Sequence, residues 1–218
     1  MAFSEAAVVV YLRQLYYPSG FVFPLTTVVL KSLWIEYLRE MATIAMLASI
    51  AMLSGKNRLE RIAAFLFSFG MWDIFYYLWL KVLIDWPSSL FTWDVLFLIP
   101  VVWVAPVLAP IICAVTMIAM ALLLLKVRQK NKIIVFRKTE ILLWVSGCSA
   151  ILFTFMIDYM KLFRAEGFPE FPMSLFKNPR LLEAISQYVP ASYHWELFAF
   201  GEIAVVCGLL FFLKRYVL

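Results

Sequence analysis

Apolar residues form five long runs along the 218-residue chain, separated by shorter stretches with charged residues, proline and glycine. Each run has about 20 residues or more, the length that an α-helix needs to cross roughly 30 Å of hydrocarbon. The runs leave no stretch for a separate soluble domain. The pattern predicts an all-α, polytopic transmembrane helix bundle of about five spans, with residues 1–218 as a single integral membrane domain. The predicted spans cover about 36–54, 62–84, 95–125, 140–163 and 195–213.

The third apolar run is too long for a straight helix across the membrane, and it contains Pro100, Pro106 and Pro110. Proline removes a backbone donor and clashes with the preceding turn, so we expect this span to be proline-broken in its first half. Such a break is more often a structural irregularity of a span than part of a binding site. The alternative is that its freed backbone groups line a substrate site, as broken helices do in many transporters.

Charged residues make up only 15% of the chain, and the net charge of +5 is distributed unevenly between the loops. The loop at 85–94 contains two aspartates and no lysine or arginine, whereas the neighbouring loops are basic. This asymmetry predicts a multi-pass protein of the cell's inner (plasma) membrane, with its N-terminus outside and its C-terminus in the cytoplasm. We expect the basic cluster at 126–138 to set this orientation and to contact anionic lipid of the bilayer, and we expect no nucleic-acid partner.

Two segments outside the spans have predicted structures. Residues 1–20 are expected to form an interfacial helix and turn, because their apolar positions fall near one side and Pro18-Ser19-Gly20 ends the pattern. They lack the basic region of a secretory signal. Residues 164–193 are predicted to form an extracytoplasmic loop with a short helix, which Asn178-Pro179 starts and which continues to about Tyr188.

The cysteines and the single histidine restrict the possible cofactors. Cys113, Cys148 and Cys207 fall inside predicted spans without a CxxC motif, so we expect them to act as small apolar residues. With His194 as the only histidine, a bis-histidine haem within this chain is excluded, and a histidine-based metal site would need ligands from elsewhere. The sequence therefore predicts no cofactor and no metal site within the chain.

Ionisable side chains inside the predicted spans are the best candidates for a functional site, because charge in hydrocarbon is costly. One interpretation is a polar cavity that opens outward, with Asp73 at its floor, suited to substrate or ion binding. The other is a set of internal pairs, such as Asp158 with Lys161, that only fix helix orientation. No catalytic motif is present, so no catalytic residue is predicted. The candidate residues are Asp73, Tyr77, Lys81, Asp158 and Glu202.

Small residues at 146–150, Ser-Gly-Cys-Ser-Ala, predict a face on which another helix packs closely. A second stretch carries a resemblance. The runs WDIFYY at 72–77, WP at 86–87 and TWD followed by LFLIP at 92–100 resemble uncharacterised small polytopic integral membrane proteins of bacteria that have no assigned activity. The resemblance covers residues 70–103 and implies a bacterial inner membrane, without implying a function.

Three functions are consistent with these observations. The first is a non-enzymatic integral subunit or scaffold of a larger membrane protein complex, favoured by the packing face, the structured loop and the lack of an active-site motif. The second is a small transporter or ion channel that uses Asp73. The third is a membrane enzyme that acts on lipid through carboxylates. The expected partners besides the bilayer are other membrane subunits or further copies of this chain.

Overall fold

The computed structural model describes residues 1–17, 20, 21, 23–25, 27–99, 101–130, 134–165 and 179–216. These residues contain seven helices and one pair of antiparallel strands. The helices are α1 (Ala2–Tyr16), α2 (Thr27–Ser54), α3 (Arg58–Ile84), α4 (Leu108–Lys130), α5 (Lys138–Ala165), α6 (Pro179–Gln187) and α7 (Trp195–Tyr216), and the strands are β1 (Trp93–Phe97) and β2 (Trp103–Pro106).

Five of these helices are long and apolar enough to cross a membrane, which confirms the predicted number of spans. Their exposed side chains are largely apolar, as expected for surfaces that face lipid rather than water. The candidate spans are Trp34–Ser54, Arg58–Ile84, Leu108–Lys130, Lys138–Arg164 and Trp195–Tyr216.

The first part of the third apolar run is not helical, which corrects the predicted span at 95–125. Strands β1 and β2 pair antiparallel, with Trp93 opposite Pro106 and Val95 opposite Val104, and helix α4 begins only at Leu108. Pro110 lies in the first turn of α4, where a missing backbone donor costs nothing. Pro100 lies outside the described residues. The run is apolar throughout because the strand pair is buried in protein.

Both predicted short helices are present, as α1 and α6. Helix α6 confirms the helix expected in the 164–193 segment, although Asn178 and the rest of 166–178 lie outside the described residues. Helix α1 differs from an ordinary amphipathic interfacial helix, because its buried residues include Glu5 and Arg13 while Tyr11 and Leu15 are 64% and 72% exposed. Its charges face protein and its apolar side chains are exposed.

The chain divides into two compact units. The first unit comprises Met1–Thr43, Tyr76–Val107 and Phe155–Tyr193, and the second comprises Ile44–Phe75, Leu108–Thr154 and His194–Leu218. In the first unit, the strand pair packs with Tyr159, Phe163 and other residues in one hydrophobic cluster. In the second, residues of α3, α4 and α7 form another cluster, which contains Leu124, Leu209 and Phe212.

The turn between α2 and α3 shows how short-range contacts set the start of a span. Gly55 ends α2 where an added Cβ would lie 2.5 Å from the backbone nitrogen of Arg61, so only glycine fits. Asn57 and Glu60 then form a reciprocal cap: the Glu60 backbone N–H donates to Asn57 Oδ1 at 3.1 Å, and the Asn57 amide donates to Glu60 Oε1 at 2.5 Å.

Candidate functional site

The structure divides the five candidate residues between the two units. Tyr77, Lys81 and Asp158 belong to the first unit, whereas Asp73 and Glu202 belong to the second. The residues of each unit make contacts of different kinds.

In the first unit, Tyr77 takes part in a buried cluster around Asp94. The Tyr77 hydroxyl donates to Asp94 Oδ2 at 3.1 Å, and Arg13 Nη2 donates to Asp94 Oδ1 at 3.2 Å. The Arg13 guanidinium carbon also lies 3.6 Å from the centroid of the Trp86 ring, a cation–π contact. Burial raises the pKa of the Asp94 carboxyl, while the charge of Arg13 and the hydrogen bond from Tyr77 act to lower it. This cluster fastens α1 to β1 and α3.

A second buried set of charges connects α1 to α2. Arg39 forms an ion pair with Glu5 of α1. It forms a second ion pair with Glu36, one turn earlier on α2, in which Arg39 Nε lies 2.8 Å from Glu36 Oε2. Thr43 donates to Glu5 Oε2 at 3.2 Å. Each described charge in this set therefore has a partner within the chain, as the desolvation penalty for buried ions requires.

Glu40, which follows Arg39 on α2, contacts the strand pair. Its Oε2 accepts the backbone N–H of Leu98, directly after β1, at 2.9 Å, and both residues are buried. Glu40 lies six residues, or about 9 Å, inside the span that begins at Trp34. Non-helical backbone at that depth has no water to bond, so the carboxylate supplies the acceptor that the strand end would otherwise lack.

Lys81 and Asp158 also form ion pairs, each with a different residue. Lys81 forms an ion pair with Asp85 at 2.7 Å near the end of α3, and this pair is exposed. The hydrogen bond and charge of Lys81 lower the pKa of the Asp85 carboxyl. Asp158 forms the predicted pair with Lys161, at 3.7 Å, and accepts a hydrogen bond from Tyr188 at 2.6 Å. Burial and this hydrogen bond both raise the pKa of the Tyr188 hydroxyl.

In the second unit, glycines bring helix backbones close together. A Cβ added at Gly70 of α3 would lie 2.6 Å from the Ala114 carbonyl oxygen of α4, and one added at Gly147 of α5 would lie 2.6 Å from the Gly201 carbonyl oxygen of α7. The predicted small-residue face is thus used, at Gly147, for packing inside this chain. Asp73 follows Gly70 by one turn, so the first of these approaches brings Asp73 toward α4.

Asp73 and Glu202 both lie near Cys113 of α4. Glu202 accepts a hydrogen bond from Thr116, one turn after Cys113, at 2.8 Å. The Cys113 thiol is within hydrogen-bonding reach of Glu202 and interacts electrostatically with Asp73. Asp73 lies 11 residues, about 16 Å, before the end of its span, and Glu202 lies seven residues, about 10 Å, inside α7. We call Asp73, Cys113, Thr116 and Glu202 the acidic face.

The acidic face is only partly covered by the chain itself. All four of its side chains are half-buried. Exposed side chains next to it on α7 are apolar, for example Ile203 and Val206. Two acidic residues at membrane depth therefore keep part of their surface exposed, although exposure of charged groups to hydrocarbon is costly. Chemically, the face can accept hydrogen bonds, hold a proton or attract a cation.

Several residues of these clusters were not predicted as site residues. Glu5 and Arg13 lie in the segment predicted to be interfacial, and no sequence pattern pairs them with α2 or β1. Thr116 had a usable signal, because it follows Cys113 by three residues and these two are the polar side chains in an apolar stretch of α4. Asp94 was predicted only to belong to the acidic loop at 85–94.

Among the described residues, no group of three or more histidine, cysteine, aspartate or glutamate side chains is arranged to hold a metal ion. No protein-family model, curated protein or solved structure matches this chain. The resemblance based on residues 70–103 therefore stays a prediction.

Proposed function

We propose that this chain is a non-enzymatic integral subunit or scaffold of a larger membrane protein complex, and that the acidic face is where a transmembrane helix of another subunit packs. The observation that carries the proposal is the half-burial of Asp73 and Glu202 at membrane depth. A polar or basic side chain from a partner helix would complete their burial and offset the cost of holding carboxylates in the membrane.

The internal pairing of the other charges supports this proposal. Glu5, Arg39, Arg13 and Asp94 pair with one another or with neighbours in the first unit, and Lys81 pairs with Asp85. Groups that satisfy one another in this way fasten elements together and do not line a path for a solute. The acidic face differs in that none of its four residues is fully buried by the chain itself.

Gentle extraction of the protein into lipid nanodiscs directly from its membrane tests the proposal. We expect a different membrane protein to co-purify in fixed stoichiometry. Asp73→Asn and Glu202→Gln should leave the chain folded, because an amide still hydrogen-bonds, but should reduce the recovered partner. Asp85→Asn is the matched control, since Asp85 is exposed and pairs only near the end of α3. Recovery of the chain alone, or with copies of itself only, contradicts the proposal.

The same half-burial favours one second candidate, a small transporter or ion channel in which water, not protein, reaches the acidic face. Cysteine, threonine and carboxylate groups at this depth could pass a proton or a cation between them. Proteoliposomes that contain the purified chain distinguish the two: this candidate predicts proton or cation flux that Glu202→Gln abolishes and Asp85→Asn leaves unchanged. Absence of flux from the wild-type chain eliminates it.

The membrane location and orientation remain part of the proposal. The resemblance of residues 70–103 is the basis for a bacterial inner membrane. The basic loops support an N-terminal segment on the outer side of that membrane and a C-terminus in the cytoplasm. Impermeant thiol labelling of intact cells tests this on a chain without its native cysteines. Single cysteines at positions 88 and 174 should be labelled, and those at 57 and 131 should not. Labelling at 131 from outside contradicts the orientation.

A further inference from the structure

Helix α1 has the reverse of the polarity that a helix on a membrane surface requires. Such a helix buries its apolar side in the lipid and keeps its charged side chains in water. In α1, the charged residues Glu5 and Arg13 are buried against the rest of the first unit. The side chains on the opposite side are exposed, and none of them is charged: Met1, Phe3, Ser4, Val8, Tyr11, Gln14 and Leu15. We call these seven residues the exposed face of α1.

The contacts of Glu5 and Phe3 place the N-terminal half of α1 at membrane depth. Glu5 accepts a hydrogen bond from Thr43, which is nine residues, or about 14 Å, inside the span that begins at Trp34. The Phe3 ring lies 5.1 Å from the ring of Trp79, five residues before the end of α3. Both partners are inside candidate spans, which supports a position below the membrane surface for this part of α1.

The C-terminal half of α1 lies nearer to the membrane surface. Arg13 stacks on Trp86, two residues after the end of α3, and pairs with Asp94 in the strand pair. From Glu5 to Arg13 the helix rises about 12 Å. That rise is close to the difference in depth between Thr43 and the end of a span, so the axis of α1 is steeply inclined to the membrane plane.

We propose that α1 is immersed in the hydrocarbon of one leaflet, with its N-terminal half deepest, and that its exposed face binds lipid acyl chains. Lipid fits this face because the side chains are uncharged and mostly apolar. Exposed apolar residues of the neighbouring spans, including Leu38 of α2 and Val82 of α3, belong to the same unit. On the opposite side of α1, the ion pair of Glu5 with Arg39 and that of Arg13 with Asp94 then hold the helix against the rest of the first unit.

Spin labels along the exposed face test this proposal. Single cysteines at Ser4, Val8, Tyr11 and Leu15, in a chain with alanine at Cys113, Cys148 and Cys207, are labelled and reconstituted into lipid nanodiscs. Collision rates with oxygen, which concentrates in hydrocarbon, and with a water-soluble nickel chelate then report depth. Labels at Leu78 and Val82, exposed positions of α3, give matched depth references.

We expect the ratio of oxygen to nickel collisions to rise stepwise from Leu15 to Ser4 and to reach or exceed the ratio at Val82. Equal, shallow depths at all four positions would show that α1 lies flat at the interface and would overturn the proposal. Low collision rates with both reagents would also overturn it, because they would show that protein covers this face. Retention of the wild-type elution volume in each labelled variant establishes that the reading comes from folded protein.

Discussion

Replacement of Gly147 by alanine should destabilise the chain, although alanine is normally the better residue in a helix. The added Cβ would lie 2.6 Å from the Gly201 carbonyl oxygen and 3.0 Å from the Val205 backbone nitrogen. These are backbone atoms of α7 and cannot rotate away, so α5 and α7 must separate. Overpacking of this kind costs about 1–3 kcal/mol, and a contact with backbone belongs in the upper half of that range.

Against this cost, removal of a helical glycine contributes about 0.5–1 kcal/mol in favour of the folded state. The net expectation is therefore a loss of about 1–2.5 kcal/mol. Thermal and detergent-induced unfolding of the purified variant, followed by tryptophan fluorescence, measures it. Ser146→Ala is the matched control, because Ser146 is exposed on the same helix and should change stability by less than about 0.5 kcal/mol. A Gly147→Ala chain as stable as wild type would refute the close approach of α5 and α7.

Substitutions at four further positions have defined outcomes. Asp73→Asn should preserve expression but impair function or assembly. Asp73→Leu should lower the yield of folded protein, because it leaves a facing donor unpaired at a cost of about 1–3 kcal/mol. If both variants have wild-type yield, melting temperature and phenotype, Asp73 is not a site residue. Glu40→Leu should destabilise by about 1–3 kcal/mol because the buried Leu98 N–H loses its acceptor, and Glu40→Gln should recover most of this in the same unfolding assay. Asp94→Leu should cost about 3–5 kcal/mol because Arg13 stays charged and buried, and a loss under about 1 kcal/mol would contradict the pairing. Tyr188→Phe tests the raised pKa of the Tyr188 hydroxyl. The difference in unfolding free energy between wild type and variant should be largest below about pH 10 and should decrease as the pH rises toward the raised pKa. A difference that stays constant over this pH range argues against the raised pKa.

The five spans could be predicted from the sequence because their length is set by the thickness of the bilayer. The strand pair at 93–106 could not, because its residues are as apolar as those of a span. Buried strands and buried helices are alike in a continuous apolar run, and the prolines indicate a break without indicating what replaces the helix. The acceptor that makes the strand pair possible at this depth, Glu40, lies 58 residues away from Leu98.

The candidate site was predictable in part for a similar reason. An acid within a span is rare and costly, so Asp73 and Glu202 could be identified from the sequence alone. Their proximity to Cys113 could not, since it depends on contacts between different helices, such as the close approach of α3 to α4 at Gly70 and the hydrogen bond from Thr116 to Glu202. Asp73, Tyr77 and Lys81 follow one another at intervals of four residues on α3, but the Tyr77 hydroxyl donates to Asp94 in β1. No spacing along a single helix indicates that contact.

The most direct test of the account is photo-crosslinking from the acidic face in the native membrane. A photoreactive amino acid at Val206, one turn after Glu202 and exposed on α7, should form a discrete product with a different membrane protein. The same group at Leu142, an exposed position of α5, should give no such product. Absence of any protein product at Val206, or a product that contains only this chain, would contradict the claim that another subunit packs on Asp73 and Glu202.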